Sequence, residues 1–394
     1  MSTLALAGCG ETSAANTDVR IDSLPGGIPR TLSSHPIDSG NWQLVRARDI
    51  QPAELAPGEL LDPQDVAIAD DGSVLVADTK PAVIKVFDPA GQLVRTIGRE
   101  GSGPGEIRAA YTAILGDTLV VQDAVNSRAT TFNWRTAELL SERRTACCYF
   151  YPIGIDGRGR AAVRSIIQAP DTTWRNTQAF VRFAINGASA DTVFVPVGHD
   201  GSLRPWMVRE GNRVRFSSIV PLQPRAFHAI DPAGSFVTGW SSEYLLRRTS
   251  NGLDTLALFG RDWTSAPVTT SDKQRLVDQR VTEVSAGSGR DIAETTIRSA
   301  FDPSYIPDTR PAYETYSLDA AGRTWVRLTA DERPSILFDL FDRDGRWLDV
   351  VAVPAAGWPA SSWKSVAWGR SEAAVILEGD DGRPLVRVYT IERR

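Results

Sequence analysis

The sequence is poor in the residues on which metal, thiol and nucleic-acid chemistry most often depend. It contains three histidines, three cysteines and two methionines, and only four of its 43 basic residues are lysines. Acidic residues number 48, which gives a net charge of −5. A general nucleic-acid binder normally carries a basic surplus on one face, so the sequence predicts no nucleic-acid partner. No apolar run approaches the roughly 20 residues that cross a bilayer, so no transmembrane helix is predicted.

The composition that is present indicates a folded, turn-rich chain. Hydrophobic residues make up 42% and charged residues 23% of the 394 positions, which is ordinary for a globular protein and argues against disorder. With 24 prolines and 32 glycines, turns are frequent. At about 150 residues per domain the length would suit two or three domains, yet repeat-built β folds hold such a length around one axis. We interpret the arginine excess as GC-rich codon usage.

The first residues resemble the lipidation signal of bacterial lipoproteins. Leu6-Ala7-Gly8-Cys9 matches the lipobox, and a polar linker follows from Thr12 to Asp18. A basic stretch and a long apolar stretch do not precede it, so either the signal is truncated or the match is accidental. We favour the first interpretation, in which residues 1–9 are a truncated signal and residues 10–41 are a flexible tether. The protein is then expected to be extracytoplasmic and to contact the membrane only through a lipid on Cys9.

The other two cysteines, Cys147 and Cys148, are adjacent. A disulfide between neighbours strains the intervening peptide, so two buried thiols at a strand end are favoured, although the sequence leaves a disulfide open. With no CxxC pair, a zinc site is not supported.

A unit of four short strands can be read between Asp62 and Gly98. The strands are predicted over residues 65–69, 73–78, 83–87 and 92–98, and every break between them carries Asp, Pro or Gly. Those residue types favour tight turns. A four-stranded antiparallel meander of this kind is a β-propeller blade.

The same turns recur along the chain and indicate six blades. The turn between the first and second strands occurs six times and the turn between the third and fourth occurs five times, because the last blade, Trp363 to Glu392, has only three strands. An unpaired strand, Trp42 to Asp49, precedes the first blade. Since open sheet edges are avoided, we predict that this strand completes the last blade. The fold class is therefore an all-β, six-bladed propeller over residues 42–394.

A small helical insertion is predicted between blades 4 and 5, over about residues 270–301. Ser271 to Gln274 has the pattern of a capping box, and apolar residues from Leu276 to Val284 fall near one helical face. A second amphipathic stretch runs from Asp291 to Phe301. We favour a decoration that covers one rim of the propeller over a mobile lid.

At this point the sequence resembles the NHL-repeat propellers, in particular six-bladed lipoproteins of environmental bacteria. Two segments carry the resemblance, Val74 to Ile107 and Asp123 to Phe132. The second segment matches the pattern D-x-x-N-x-R-x-x-x-F that is typical of these repeats. It covers blades 1 and 2, about a fifth of the chain. In such repeats the Asp, Asn and Arg tie neighbouring loops together, so the resemblance implies a structural role for Asp123, Asn126 and Arg128.

Candidate binding residues lie on loops that the resemblance places on one face of the ring. Functional residues concentrate on loops held by a rigid scaffold, and Trp, Tyr and Arg are favoured at interfaces. The predicted partner-binding residues are Lys80, Arg99, Arg108, Trp174, Arg175, Trp206, Arg209, Trp240, Glu243, Tyr244 and Arg333.

Signals for catalysis are few. No nucleophile elbow, P-loop or dinucleotide fingerprint occurs. Of His35, His199 and His228, the first lies in the predicted tether, so a three-histidine zinc centre is not available. We therefore expect no catalytic residue, metal or cofactor, and a binding propeller whose partner is a protein, peptide or glycan. The alternatives are a metal-dependent hydrolase or lyase in the central channel and a structural scaffold of the envelope.

Overall fold

Six blades of four antiparallel strands each surround a central axis and form a six-bladed β-propeller, as the sequence predicts. The computed structural model describes residues 18–145, 153–168, 176–185, 190–194, 204–287, 291–329, 334–359 and 366–394. In this part of the chain, no helix is both long and apolar enough to span a membrane.

The N-terminal part contributes a hairpin, a single strand and the first blade. The hairpin and the strand are β1 (Val19–Leu24), β2 (Ile28–Ser33) and β3 (Trp42–Ile50). Blade 1 consists of β4 (Pro63–Ile68), β5 (Val74–Thr79), β6 (Ala82–Phe87) and β7 (Leu93–Ile97). The middle strands β5 and β6 are buried at almost every position because neighbouring blades cover both of their faces, so they read as continuous apolar runs.

Blades 2 and 3 follow, joined by short connections. A two-residue parallel pair, β8 (Arg99–Glu100) and β9 (Glu106–Ile107), links blades 1 and 2. Blade 2 consists of β10 (Ala110–Leu115), β11 (Thr118–Asp123), β12 (Arg128–Asn133) and β13 (Glu138–Arg144). Blade 3 consists of β14 (Gly154–Ile155), β15 (Arg160–Gln168), β16 (Asn176–Ala184) and β17 (Ala190–Phe194).

Two insertions flank blade 4. The first is a hairpin of β18 (Trp206–Glu210) and β19 (Arg213–Ser218). Blade 4 consists of β20 (Ala226–Ile230), β21 (Phe236–Trp240), β22 (Leu245–Thr249) and β23 (Thr255–Arg261). The second insertion holds α1 (Thr270–Ala286), α2 (Glu294–Ala300) and a 3-10 turn (Pro303–Tyr305). Helix α1 has a capping box of Thr269 and Asp272 rather than the predicted one at Ser271, because Thr269 is the residue with extended backbone.

Blades 5 and 6 complete the ring. Blade 5 consists of β24 (Thr315–Leu318), β25 (Thr324–Arg327), β26 (Ser335–Phe341) and β27 (Trp347–Pro354), followed by a 3-10 turn (Ala355–Gly357). Blade 6 consists of β28 (Val366–Trp368), β29 (Glu372–Glu378), β30 (Pro384–Arg393) and the N-terminal strand β3.

The ring is closed by β3, which confirms the sequence-based prediction. Strand β3 pairs antiparallel with β30, with Leu44 opposite Ile391 and Arg48 opposite Val388. Across this seam Arg387 donates two hydrogen bonds of 2.8 Å to the Asp49 carboxylate. The strand before blade 1 and the last strand of blade 6 are thereby held in one sheet, so the last blade has all four of its strands.

The predicted tether is corrected for the residues that are described. Residues 18–41 contact the outer strands of blades 4 and 5, and residues 10–17 lie outside the described part. Strand β2 pairs in parallel with β23, so the hairpin extends blade 4 to six strands. The chain then crosses blade 5, where the backbone N–H groups of Gly40 and Trp42 donate to the Asp349 carboxylate at 2.9 and 2.8 Å. These long-range backbone bonds satisfy groups that a flexible tether would leave to water.

The hydrophobic core lies between neighbouring blades rather than at the axis. Each interface between blades has a buried apolar cluster, for example Val76, Phe87, Ile376 and Val388 between blades 1 and 6. Each blade is therefore stabilised by the neighbours on both sides.

The two insertions pack against each other and form one unit, here called the cap, which consists of β18, β19, α1 and α2. Its core includes Trp206, Val281 and Ile297, and the Trp206 ring stacks on Phe301 with the centroids 4.5 Å apart. The cap covers the connections before and after blade 4. The two helices agree with the predicted helical insertion, whereas the β18–β19 hairpin was not predicted from the sequence.

Candidate functional site

The propeller has two faces with different construction. The connection face carries the links between blades and the loops between second and third strands of each blade. The turn face, opposite, carries the tight turns between first and second strands and between third and fourth strands. The sequence-based site was placed on the connection face.

Two buried aspartates organise the connection face in blades 1 and 2. Asp78 lies near the end of β5 and accepts backbone hydrogen bonds from Leu61 and Asp62 at 2.9 and 2.8 Å. It also forms a 2.7 Å ion pair with the buried ammonium of Lys85. Asp123, at the end of β11, accepts from the backbone of Arg108 at 2.8 Å. Each carboxylate therefore fixes the chain that enters its blade.

Asn126 and Arg128 extend this arrangement to the link between blades 1 and 2. The Asn126 amide donates to the Gly101 carbonyl at 2.9 Å and to Asp123 at 2.7 Å. The Arg128 guanidinium donates to the carbonyls of Gly103 and Glu106. These side chains hold two separate loops in one position.

Of the eight predicted binding residues that the structure describes, five are exposed, and two of these five are engaged in ion pairs. The Lys80 ammonium lies 3.0 Å from Asp62, and Arg99 lies 2.8 Å from Glu106. Surface pairs of this kind contribute little to stability, so both cations remain accessible to a partner. Arg108, Arg209 and Glu243 are also exposed, and Trp240 is half-buried.

Two predicted binding residues are buried, which corrects their assignment. Trp206 is 0% exposed and donates its indole N–H to the Asp302 carbonyl inside the cap. Tyr244 is 5% exposed and lies between blades 4 and 5. Their aromatic rings supply core packing because the insertions and the neighbouring blade cover them. Trp174, Arg175 and Arg333, together with Cys9, Cys147, Cys148 and His199, lie outside the described residues.

Tyr244 belongs to a buried polar group that joins blades 4 and 5. Its hydroxyl donates to Asp339, which also forms a 2.5 Å ion pair with Arg261. The Arg261 guanidinium stacks over the rings of Tyr244 and Trp347 at 4.5 and 4.7 Å. Burial raises the pKa of Asp339, and burial followed by the charge of Asp339 raises the pKa of Tyr244. A group enclosed in this way braces two blades and is not a binding surface.

The turn face contains a cavity of about 850 Å³ at the axis. All six blades contribute to its wall through innermost strands or first turns. The turn segments that line it are 70–71, 116–117, 157, 231–233, 320–322 and 369–370. These recurring turns indicate the number of blades in the sequence, and their common position in each blade also places them around one opening.

The wall of the axial cavity contains both apolar and polar side chains, and its rim is charged. Apolar side chains from blades 1, 2 and 3 line the wall, including Ile68, Ile114 and Ile155, and Trp368 lines it from blade 6. The rim carries both signs of charge, and the residues are Asp70, Asp71, Asp117, Arg135, Arg343 and Arg370.

One arginine joins the rims of blades 1 and 2. Arg135 forms ion pairs of 2.9 Å with Asp71 and 2.6 Å with Asp117. Hydrogen bonding to Asp117 and then to Asp71 raises the pKa of Arg135. No ion pair of Arg343 or Arg370 with another described residue is formed, so their guanidinium groups face the rim without a fixed acidic partner.

Buried aspartates hold the turns around the cavity. Asp156 and Asp319 each accept from the arginine four residues later, Arg160 at 2.8 Å and Arg323 at 2.6 Å. Gly234 has a φ of +91°, and a Cβ there would lie 2.5 Å from the Arg160 guanidinium. Only glycine fits this turn without displacement. The backbone conformation of the turns and the ion pairs of their aspartates therefore fix the shape of the rim.

In the described part of the chain, no three His, Cys, Asp or Glu side chains come together in a way that could hold a metal ion. His228 lies half-buried on β20, opposite Thr238 of the neighbouring strand.

Comparisons with known proteins identify the fold. A member of the DUF4221 family from Bacteroides vulgatus superposes with a TM-score of 0.50 at 10% identity, covering 91% of this chain and 100% of that one. A protein from Bacteroides fragilis gives 0.48 at 11%, covering 91% and 98%. The WD40 repeats of RRP9 give 0.47 at 10%, covering 91% and 99%. At 10% identity, the likeness to the DUF4221-family protein shows the fold alone. No family profile and no curated protein matches the sequence.

Proposed function

We propose that this chain is a non-catalytic binding propeller that takes a segment of a peptide or glycan into the axial cavity of its turn face. The observation that carries this proposal is the cavity of about 850 Å³ with a rim built from all six blades. Its volume lies within the range of about 300–1,000 Å³ that ligand sites occupy. The sequence-based expectation had placed the same function on the connection face.

The lining fits a polar ligand with flat or apolar parts. Trp368 offers a ring edge that is held by stacking on Trp325, with the centroids 4.5 Å apart. Carboxylates such as Asp70 accept hydrogen bonds from hydroxyl or amide groups, whereas Arg343 and Arg370 donate to carbonyls or carboxylates. Rigid turns reduce the entropy that binding would otherwise cost.

A direct test compares the two faces. The purified protein is screened on glycan and peptide arrays, and hits are measured by calorimetry with Arg343→Ala/Arg370→Ala and with the matched connection-face variant Arg108→Ala/Arg209→Ala. We expect the first variant to weaken binding about tenfold or more and the second to bind as wild type. The opposite result would return the site to the connection face.

The proposed location is extracytoplasmic, with a lipid on Cys9 as the only attachment to a membrane. Support comes from Leu6 to Cys9 and from the polar linker that follows. Labelling with a fatty-acid analogue should mark the wild type and the Cys147→Ser control but not Cys9→Ser. Equal labelling of all three proteins would show that Cys9 is not the lipidated residue.

The kinship with NHL-repeat propellers is part of the same proposal. It is supported by Val76-Ala77-Asp78 and by the Asp123, Asn126 and Arg128 contacts in blade 2. A metal-dependent hydrolase or lyase is the competing function. One equivalent of a divalent ion retained through purification, measured by mass spectrometry, would favour that function over simple binding.

A further inference from the structure

A second cleft, distinct from the axial cavity, lies on the connection face between the cap and blade 4. It has a volume of about 230 Å³. One side is formed by the chain that leaves β19, with Ile219 and Pro221, and by Arg225 just before β20. The other side is a single face of α1, which carries Leu276, Gln279, Arg280 and Glu283. The cleft therefore combines three apolar side chains with two guanidinium groups, one amide and one carboxylate.

Arg225 is held in this cleft by its backbone and not by its side chain. Its N–H donates to the Ser241 hydroxyl at 2.9 Å, and its carbonyl accepts from the Ser241 N–H at 3.0 Å. The guanidinium, by contrast, makes no hydrogen bond or ion pair with any residue that the structure describes. A half-buried arginine without a carboxylate partner is uncommon, because guanidinium groups removed from water are normally paired.

Arg280 is fixed on the opposite wall. It donates to the Ser218 hydroxyl at 3.0 Å and to the Glu283 carboxylate at 2.8 Å. Burial, followed by repulsion from Arg280, lowers the pKa of Arg225. Two cations and one carboxylate leave the cleft with one uncompensated positive charge. A bound anion would remove both the repulsion and the cost of burying Arg225.

We propose that this cleft binds a monocarboxylate that carries a short apolar chain, with the carboxylate between Arg225 and Arg280 and the chain against Ile219, Pro221 and Leu276. A planar carboxylate matches the paired donors of a guanidinium. The apolar side chains distinguish such a ligand from inorganic phosphate, which has no apolar part to bury. The site does not depend on the proposed function of the axial cavity.

The test uses hexanoate as the probe, with hexanol and inorganic phosphate as comparators, in calorimetric titrations of the whole protein. We expect hexanoate to bind and both comparators to bind at least about tenfold more weakly, since hydrogen bonds to a charged group carry such a difference. Binding of hexanol as strong as that of hexanoate would refute a role for the carboxylate. Stronger binding of phosphate would refute the apolar subsite.

Three variants locate the site. Arg225→Gln should weaken hexanoate binding about tenfold or more, Arg225→Lys should restore part of it, and the exposed Arg213→Gln in the β18–β19 hairpin should leave it unchanged. Because Arg225→Gln removes a like-charge contact, its melting temperature without ligand should equal or exceed that of wild type. A lower melting temperature, or unchanged hexanoate affinity, would show that Arg225 is structural and would overturn the proposal.

A peptide pair separates two sources of the carboxylate. A short peptide that ends in leucine is compared with its C-terminally amidated form. Tighter binding of the free-acid peptide than of hexanoate, lost on amidation, would identify a polypeptide C-terminus as the ligand. Binding of hexanoate alone would identify a small organic acid; either result supports the site, and binding of neither probe contradicts it.

Discussion

Blades 1 and 2 differ from blade 4 in how the incoming chain is fixed on the connection face. In blades 1 and 2 the anchor is a buried carboxylate, Asp78 or Asp123, near the end of the second strand. In blade 4 the anchor is the hydroxyl of Ser241, which accepts from the Arg225 backbone. A carboxylate accepts several N–H bonds and also pairs with a cation, whereas one hydroxyl accepts few.

The difference shows where the fold has been specialised. The carboxylate anchors occur where the connections are short and the NHL resemblance is sharp. The weaker serine anchor occurs where two insertions meet, and there the guanidinium of Arg225 faces a cleft instead of a carboxylate. In blades 1 and 2 the buried carboxylates hold the incoming loops in place. In blade 4 a hydroxyl takes that role, and the Arg225 guanidinium faces the cleft proposed to bind a ligand.

The largest effect is expected from the anchor of blade 1. Asp78→Ala would leave the ammonium of Lys85, which is 7% exposed, without its carboxylate partner, although the Glu59 carbonyl still accepts from it. Breaking a buried pair on one side typically destabilises a protein by about 3–5 kcal/mol. We expect a loss of that order in the free energy of unfolding, measured with urea. The double variant Asp78→Leu/Lys85→Met should recover the part of the loss that comes from the unpaired ammonium but not the part that comes from the Leu61 and Asp62 N–H groups. A single-variant loss below about 1 kcal/mol would contradict the anchor role.

A smaller effect is expected for blade 2. Asp123→Ala removes the acceptor of the Arg108, Val125 and Asn126 backbone N–H groups but leaves no buried cation. Unsatisfied buried donors cost about 1–3 kcal/mol each, less what water restores, so we expect a total loss of about 2 kcal/mol. Hydrogen exchange should accelerate in residues 99–108 and not in blade 5. Uniform acceleration would mean that the anchor acts on the whole ring.

The Asp49–Arg387 ion pair at the seam between β3 and β30 is more exposed than the Asp78–Lys85 pair. It therefore tests how exposure changes the contribution of an ion pair to stability. Hydrogen bonding to Arg387 lowers the pKa of Asp49 below its usual 3.8. The stabilisation is therefore present above that pH and is lost as the pH falls through the lowered pKa. Asp49→Asn should cost about 1 kcal/mol at pH 7, and the gap to wild type should narrow as the pH falls below 3.8 towards the lowered pKa of Asp49. A gap that persists in acid would exclude ionisation as its cause.

The smallest effect is expected at the serine anchor. Ser241→Ala removes one acceptor from the Arg225 N–H, and a single neutral hydrogen bond contributes about 1 kcal/mol. Thermal unfolding of this variant beside Asp123→Ala gives the ratio of the two anchors directly. Equal losses would remove the distinction between the regular blades and blade 4.

The local pattern predicted the strands well, because each is short, β-branched and bounded by turn residues. The closing strand could also be predicted, since a three-stranded last blade and a spare strand at Trp42 to Asp49 need each other. The hairpin of β1 and β2 could not. Its strands contain Pro29 and several polar residues, and their order comes from pairing with β23. No local signal records a partner more than 200 residues away.

The candidate site was harder to predict than the fold. Trp206 and Tyr244 have the composition of an interface but are buried by the cap and by blade 5. An aromatic residue suits a core and a binding surface equally well, so composition does not separate the two. The axial cavity was missed because the turns that form it also serve as ordinary chain reversals.

By itself, the amino-acid sequence determined the blade, the number of blades and the closure of the ring, because these follow from residue spacing and turn chemistry that act over a few positions. Only the tertiary structure decided that the two insertions form one cap, that the N-terminal segment crosses blades 4 and 5, and which charges face a cavity. Those features depend on contacts between distant segments, and such contacts are fixed by the closed ring as a whole.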